Sequence, residues 1–220
     1  TNSEVVPTPA DENALCEASM RTLDTADNAR FEAAVDEAKH AGDTIGGVVE
    51  VIAYGVPVGL GTHVTARERL DARLAAALMS IQSVKGVEIG DGFAQAALLG
   101  SAAHDEIVRG ADGHLTRTTN HAGGIEGGTS NGAPIVARAA FKPISTVPRA
   151  LRSVDLATGE EAVGLHQRSD TCQVVPGAVI AEAEVALVLA DALFDHAGGR
   201  SVSEMRRNLS SYLEVVGERA

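Results

Sequence analysis

The sequence predicts an α+β fold, and three observations carry that prediction. Segments with helical periodicity alternate irregularly with β-branched runs, several of those runs are joined by tight turns instead of helices, and no repeat of fixed period is present. A length of 220 residues and 45% apolar content supply a core for one substantial domain or two small ones. With no Trp and only 3% aromatic residues, that core must be built from Ala, Val, Leu and Ile.

The opening "TNSEVVPTPADENA" mixes Pro, Thr, Asn and acidic residues without periodicity, so residues 1–26 read as an extended linker and residues 27–220 as the folded part. "TADNARFEAAVDEAKHAG" places Phe31, Val35 and Ala38 on one helical face, with Asp27 as N-cap and Gly42 as the stop. The β-branched run that follows reads as a strand from Ile45 to Val56. "TARERLDARLAAALMSI" returns to helix, with Leu70, Leu74, Leu78 and Ile81 as its buried stripe. "VKGVEIG" reads as a short strand and "GFAQAALLG" as a short helical piece. A glycine-rich loop from Asn120 precedes the strand "APIVARAAFKP", and "RSVDLATGEEAVGL" reads as a hairpin turning at Thr158-Gly159. Two helices close the chain. The first has Pro176 near its start and Gly198 past its end, and the second opens on a Ser cap.

Composition excludes several function classes. A net charge of −12 repels a phosphate backbone, which argues against DNA or RNA as a partner. Cys16 and Cys172 lie far apart without metal or disulfide-framework spacing, which fits a reducing cytoplasm. There is no long apolar run for a membrane span and no signal-peptide pattern. The seven histidines form neither H-x-H nor H-E-x-x-H, so no metal site is expected, and the absence of G-x-S-x-G removes the serine-hydrolase elbow.

Three stretches remain as candidates for chemistry. The glycine loop "NHAGGIEGGTSNG" leads through a strand to "FKPIST", where the Lys142 ammonium stands beside the Ser145 and Thr146 hydroxyls, the parts of a phosphate cradle. The spacing is neither that of a P-loop nor that of a Rossmann fingerprint, and a flexible connector is the bland reading of such a loop. In "HQRSDTC", Arg168 and Asp170 point the same way along an extended segment. There the carboxylate serves as acceptor or base and the guanidinium holds an anion, unless the two form only a surface ion pair. In "SIQSVKGVEIGDGF", polar Gln82 and Ser83 interrupt an apolar helix end.

Taken in order, with their intervening lengths, "SIQSVKGVEIGDGF", "GGIEGGTSNGAPIVARAAFKPIST" and "QRSDTC" with the helix after it resemble the C-terminal part of the chorismate synthase family, from about Asp43 onward. The resemblance implies a sandwich in which two antiparallel sheets flank a helical core, and a cytoplasmic homotetramer. It implies a lyase that converts 5-enolpyruvylshikimate 3-phosphate to chorismate and phosphate by 1,4-anti elimination, with reduced FMN as cofactor, in aromatic amino acid biosynthesis. On this sequence it places Gln82, Ser83, Gly127, Lys142, Pro143, Ile144, Ser145, Thr146 and Arg168 around the flavin. Arg168 also touches the anionic substrate, and Asp170 is the base that moves the proton.

The chain departs from the family pattern at two points. Where the family commonly reads R-H-D-P-C, this chain reads Arg168-Ser169-Asp170-Thr171-Cys172. The N-terminal half of the family sequence, with its two catalytic histidines, substrate arginines and a GRSSARE-like flavin motif, has no counterpart in these 220 residues. The resemblance leaves those parts, and any NADP site, to that missing N-terminal half. Two competing readings are a catalytically silent oligomerisation or binding module, and a phosphate-binding transferase built on the glycine loop. Flavin affinity separates the main reading from both.

Overall fold

The computed structural model describes residues 5–111, 113–165 and 170–219. They fall into two units, Thr1–Val48 with Ala140–Gly177, and Val49–Ala139 with Ala178–Ala220.

The first unit begins where the sequence suggests an extended linker, yet it holds a 3-10 turn over Pro9–Asp11 and a short helix α1 over Glu12–Glu17. Thr8 nucleates this turn, since its backbone N–H and hydroxyl both donate to Asp11 Oδ2 at 2.9 and 2.6 Å. Helix α2 spans Thr25–His40, and its cap is Asp24, not Asp27: the Asp24 side chain accepts from Ala26 N and Asp27 N, while Asp27 sits buried in the first turn. Gly42, at φ +65°, ends the helix as expected. Farther along, β8 (Arg152–Val154) and β9 (Glu161–Val163) form an antiparallel hairpin turning at Thr158-Gly159, and most of its side chains are exposed.

A three-stranded sheet has the order β1-β7-β2, from β1 (Gly47–Ala53), β2 (Val84–Ile89) and β7 (Ile135–Phe141). Most of it lies in the second unit. The central strand alternates strictly, with Ile135, Ala137 and Ala139 fully buried, as period-two geometry requires of a half-covered strand. Helix α3 (Leu70–Ser80) packs on β2, and Leu70, Leu74 and Leu78 are all at 0% exposure. Each such leucine contributes about 1.5–3 kcal/mol of burial. The helix starts five residues later than its sequence suggests, because residues 65–69 form a turn with Thr65 bonded to Glu68.

The short helical piece divides into α4 (Gly92–Gln95) and α5 (Gly100–Ala103). Strands β3 (Ile107–Arg109) and β4 (Leu115–Arg117) form an antiparallel ribbon that the sequence reading did not contain. The glycine-rich stretch is also a hairpin and not an open loop: β5 (Ile125–Glu126) pairs with β6 (Thr129–Ser130). Two long helices follow, α6 (Val174–Ala197), whose first turn belongs to the first unit, and α7 (Val202–Arg219). Gly198, at φ +59°, separates them, and the Ser201 hydroxyl accepts from Glu204 N. Asn208 Nδ2 donates to Ala197 O and Tyr212 meets His196 edge-on, which fixes the corner.

Candidate active site

In the first unit three chain segments lie side by side. Residues 43–46 run between the end of β7 and the segment before α6. The Thr44 hydroxyl donates to Ile144 O at 2.7 Å, Ile45 N donates to Thr171 O at 2.9 Å, and Ile45 bridges Cys172 in parallel register. Gly46 makes this possible. A Cβ there would fall 2.3 Å from Phe141 O and 2.9 Å from Pro143 N, so only glycine lets the two backbones approach. Phe141 is buried under Gly177 at the start of α6, which anchors the far end of the same strip.

The strip therefore gathers Lys142, Pro143, Ile144, Ser145 and Thr146 on one side of residues 44–45 and Asp170 on the other. Lys142, Ile144 and Thr146 are half-buried, whereas Pro143, Ser145 and Asp170 are exposed. Neither Lys142 nor Asp170 pairs with an opposite charge among the described residues. Arg168 lies outside the described residues. Two members of this neighbourhood escape sequence reasoning. One is the 44–46 spacer, whose only local signal is Gly46-Gly47 inside a β-branched run. The other is Gln173, whose Nε2 is buried without an acceptor among the described residues.

The remaining predicted residues belong to the second unit. Gly127 and Gly128, at φ +62° and +87°, form the two-residue turn of the β5–β6 hairpin, the left-handed pair that a type I′ turn needs. Gly127 is the exposed tip, with nothing within 4 Å of where its side chain would stand. Gly128 O accepts from Leu70 N and so fixes the hairpin to the first turn of α3. Gln82 and Ser83 follow the other end of that helix. Gln82 is exposed, and Ser83 holds φ +70°, a left-handed conformation costing a non-glycine residue about 1–3 kcal/mol. Gly127 and the Gln82-Ser83 pair are thus separated by the 11 residues of α3, about 16 Å of helix.

The base of the hairpin is held by a charged cluster. Asp105, only 8% exposed, accepts from the Thr119 hydroxyl at 2.6 Å, His121 N at 2.8 Å and Ala122 N at 2.9 Å. Burial pushes its carboxyl up, and these hydrogen bonds outweigh it, so its pKa lies below the usual range. His121 Nδ1 sits 2.5 Å from Asp91 Oδ2, and Asp91 N donates back to His121 O. The hydrogen bond to Asp91 raises the imidazole pKa against a smaller opposing effect of burial, helped by the Asp91 and Asp105 charges. Arg117 and Asn131 both bind Glu126 on β5. An open cleft of about 490 Å³ beside this hairpin is lined by the Arg69–Asp71 pair, Gln95, Ala122 and Ile125, and none of the predicted site residues lines it.

A family model described as chorismate synthase matches residues 3–194. Curated chorismate synthases from Beutenbergia cavernae and Acidothermus cellulolyticus are 59% and 58% identical to the chain, over 97% of its length and 54% of theirs. A crystal structure of chorismate synthase matches with a TM-score of 0.79 at 37% identity, covering 94% of this chain and 54% of that one. The chain spans about half the length of the relatives it matches.

Proposed function

The chain belongs to the chorismate synthase family, and we propose that it supplies part of the active site of a lyase that converts 5-enolpyruvylshikimate 3-phosphate to chorismate and phosphate with reduced FMN. The observation that supports this best is the strip of the first unit, where the Lys142–Thr146 segment and Asp170 flank residues 44–45.

The residues present fit a flavin mononucleotide. Lys142 with the Ser145 hydroxyl and the neighbouring Thr146 offers the cation and polar groups that a phosphate monoester takes, and Gln173 Nε2 is a buried donor without an acceptor among the described residues. Pro143 and Ile144 give an apolar edge between them, and the family resemblance assigns Gln82, Ser83 and Gly127 to the same cofactor. When bound, the reduced flavin supplies the electrons that ease departure of phosphate from C3, with no net oxidation or reduction.

Asp170, an exposed carboxylate with no cation beside it among the described residues, moves the proton that leaves C6. Arg168 holds the anionic substrate over it. The C6–H and C3–O bonds break, the ring double bond moves to C2=C3 and a second forms between C1 and C6, so one proton and one phosphate leave. The same reading gives a cytoplasmic homotetramer in which the remaining part of the family sequence completes each site. Both cysteines are free thiols, in keeping with a reducing compartment.

The test is reconstitution with that remaining part, followed by FMN titration and turnover. Asp170→Asn is expected to lower kcat by about 10²–10⁴ while leaving FMN affinity nearly unchanged. Lys142→Gln is expected to weaken FMN binding by about 1.5–3 kcal/mol. A reconstituted protein that folds, ignores FMN and is indifferent to Asp170→Asn would leave only the silent binding module.

A further inference from the structure

Residues 43–46 carry no reacting group, yet they touch both segments that hold the candidate chemistry. The chain from Phe141 to Arg149 runs back along them. Near its start Phe141 and Pro143 lie against Gly46, where a Cβ would fall 2.3 Å from Phe141 O. At its end Arg149 N donates to Gly42 O at 2.9 Å. Both of these holds are main chain against main chain. Between them a side chain takes over: the Thr44 hydroxyl donates to Ile144 O at 2.7 Å, and Thr44 is only 9% exposed. Asp43 Oδ1 accepts from Thr44 N at 2.8 Å, which fixes the backbone from which that hydroxyl reaches. Pro143 and Pro148 bracket the segment and have no N–H, so it does not form a continuous ladder and its shape depends on holds of this kind.

The Asp170 side is tied differently. Ile45 N donates to Thr171 O at 2.9 Å and Ile45 bridges Cys172, and these ties are made by main-chain atoms. The Thr44 hydroxyl therefore acts on the Lys142–Thr146 side, and removing it leaves the ties beside Asp170 in place. A segment already in its binding shape spares the ligand the entropy of ordering it, and that saving appears as affinity.

We propose that Thr44 is a positioning residue for the cofactor: its hydroxyl holds the Ile144 carbonyl and so keeps Lys142–Thr146 in the shape that binds FMN, while Ile45 places Asp170 independently. This rests on the reading that Lys142–Thr146 contacts FMN, and it adds to that reading a residue that acts only through another.

The test uses the chain reconstituted with the remaining part of the family sequence. Thr44→Val, Thr44→Ala and Thr44→Ser are compared with the unaltered protein by FMN titration, turnover at saturating FMN and thermal unfolding. Valine keeps the branched shape without the hydroxyl, alanine removes the hydroxyl and adds no bulk, and serine keeps the hydroxyl. The valine and alanine variants are expected to raise the FMN Kd about tenfold, from the loss of one hydrogen bond and of the ordering it provides. Serine is expected to restore the affinity. The kcat at saturating FMN and its pH profile stay as in the unaltered protein, because the ties beside Asp170 are untouched. Lys142→Gln is expected to weaken FMN binding less in Thr44→Val than in the unaltered chain, since both changes act through one segment.

A Thr44→Val protein that binds FMN as tightly as the unaltered one, whatever its melting temperature, overturns the proposal, since the hydroxyl then serves the fold alone. So does a loss of affinity that serine fails to restore. A lowered kcat with a shifted pH profile overturns it too, because Thr44 would then govern Asp170 as well. Failure of both hydroxyl-free chains to fold has the same force, making the hydroxyl a requirement of the fold itself. An unaltered reconstituted protein that binds no FMN rejects the flavin reading and this inference with it, whereas the other outcomes leave that reading standing.

Discussion

Helices α3 and α6 are drawn from nearly the same set of side chains and end in opposite circumstances. In α3 the leucines recur every four residues on one face, and β2 with the neighbouring β6 covers that face completely. In α6 the apolar residues go round the helix, and the chain covers only one side. Within these residues α3 therefore buries the one apolar face it carries, whereas α6 buries one face and leaves Leu187 and Phe194 exposed on another. The glycine hairpin resembles α3 in this respect, since its polar groups find partners inside the chain. The Lys142–Asp170 strip resembles α6, because its charges are left for something else.

The largest break in this comparison comes from truncating one leucine on each helix. Leu74→Ala opens a cavity at a position with no solvent contact and is expected to cost about 2–5 kcal/mol of stability, measured by denaturant unfolding. Leu187→Ala in the same chain removes a side chain that is mostly in water and is expected to change stability by less than about 0.5 kcal/mol. Equal effects would mean that α6 has a second buried face within these residues, and the contrast with α3 would disappear.

A smaller effect tests the claim that the hairpin is self-contained. Ser130 is 2% exposed; its hydroxyl accepts from Leu60 N at 2.9 Å and donates to Pro57 O at 2.5 Å. Ser130→Ala leaves both buried backbone groups without those bonds and is expected to cost about 1–3 kcal/mol. Gly127→Ala, at the open tip, costs only the strain of its left-handed backbone, on the order of 1 kcal/mol. A tip substitution more costly than Ser130→Ala would show that Gly127 is already held by its own unit.

Much of this was legible in the sequence wherever one element settles its own conformation. The Leu70–Leu74–Leu78 stripe, the Thr158-Gly159 turn and the alternating β7 strand all carry their signal in consecutive residues. The misses share a cause in shortness. Helix α1 has six residues and β3 and β4 three each, too few for a period to appear. In the glycine stretch Gly127-Gly128 is a strong turn signal, but the paired strands flanking it are two residues long and show no alternation. At α2 two aspartates three residues apart compete for one cap, and the sequence does not reveal that Asp27 is drawn inward. The site shows the same division. Lys142–Thr146 and Asp170 stand out by residue type, whereas Thr44 and Gly46, which hold the two segments together, lie about a hundred residues from Ile144 and carry no chemistry of their own.

The smallest predicted effect concerns pH, and it localises the self-contained region further. His121 faces two carboxylates, Asp91 and Asp105, and its folded pKa lies above the usual imidazole value of about 6.5. The charged pair therefore stabilises the fold fully below that value, and the contribution is lost as pH rises through the folded pKa. The loss is partial, because neutral imidazole protonated at Nδ1 still donates to Asp91. Asp105 works the other way. Its lowered pKa gives a contribution present above about 3.9 that disappears as pH falls through the folded value. Melting temperature plotted against pH should thus sag at both ends, mildly on the alkaline side of neutrality and more steeply in acid. His121→Gln is expected to remove the alkaline slope alone, and Asp105→Asn to remove part of the acid one. An alkaline slope that survives in His121→Gln would place the responsible group elsewhere, and the hairpin base would then be held by its backbone hydrogen bonds without help from the imidazolium.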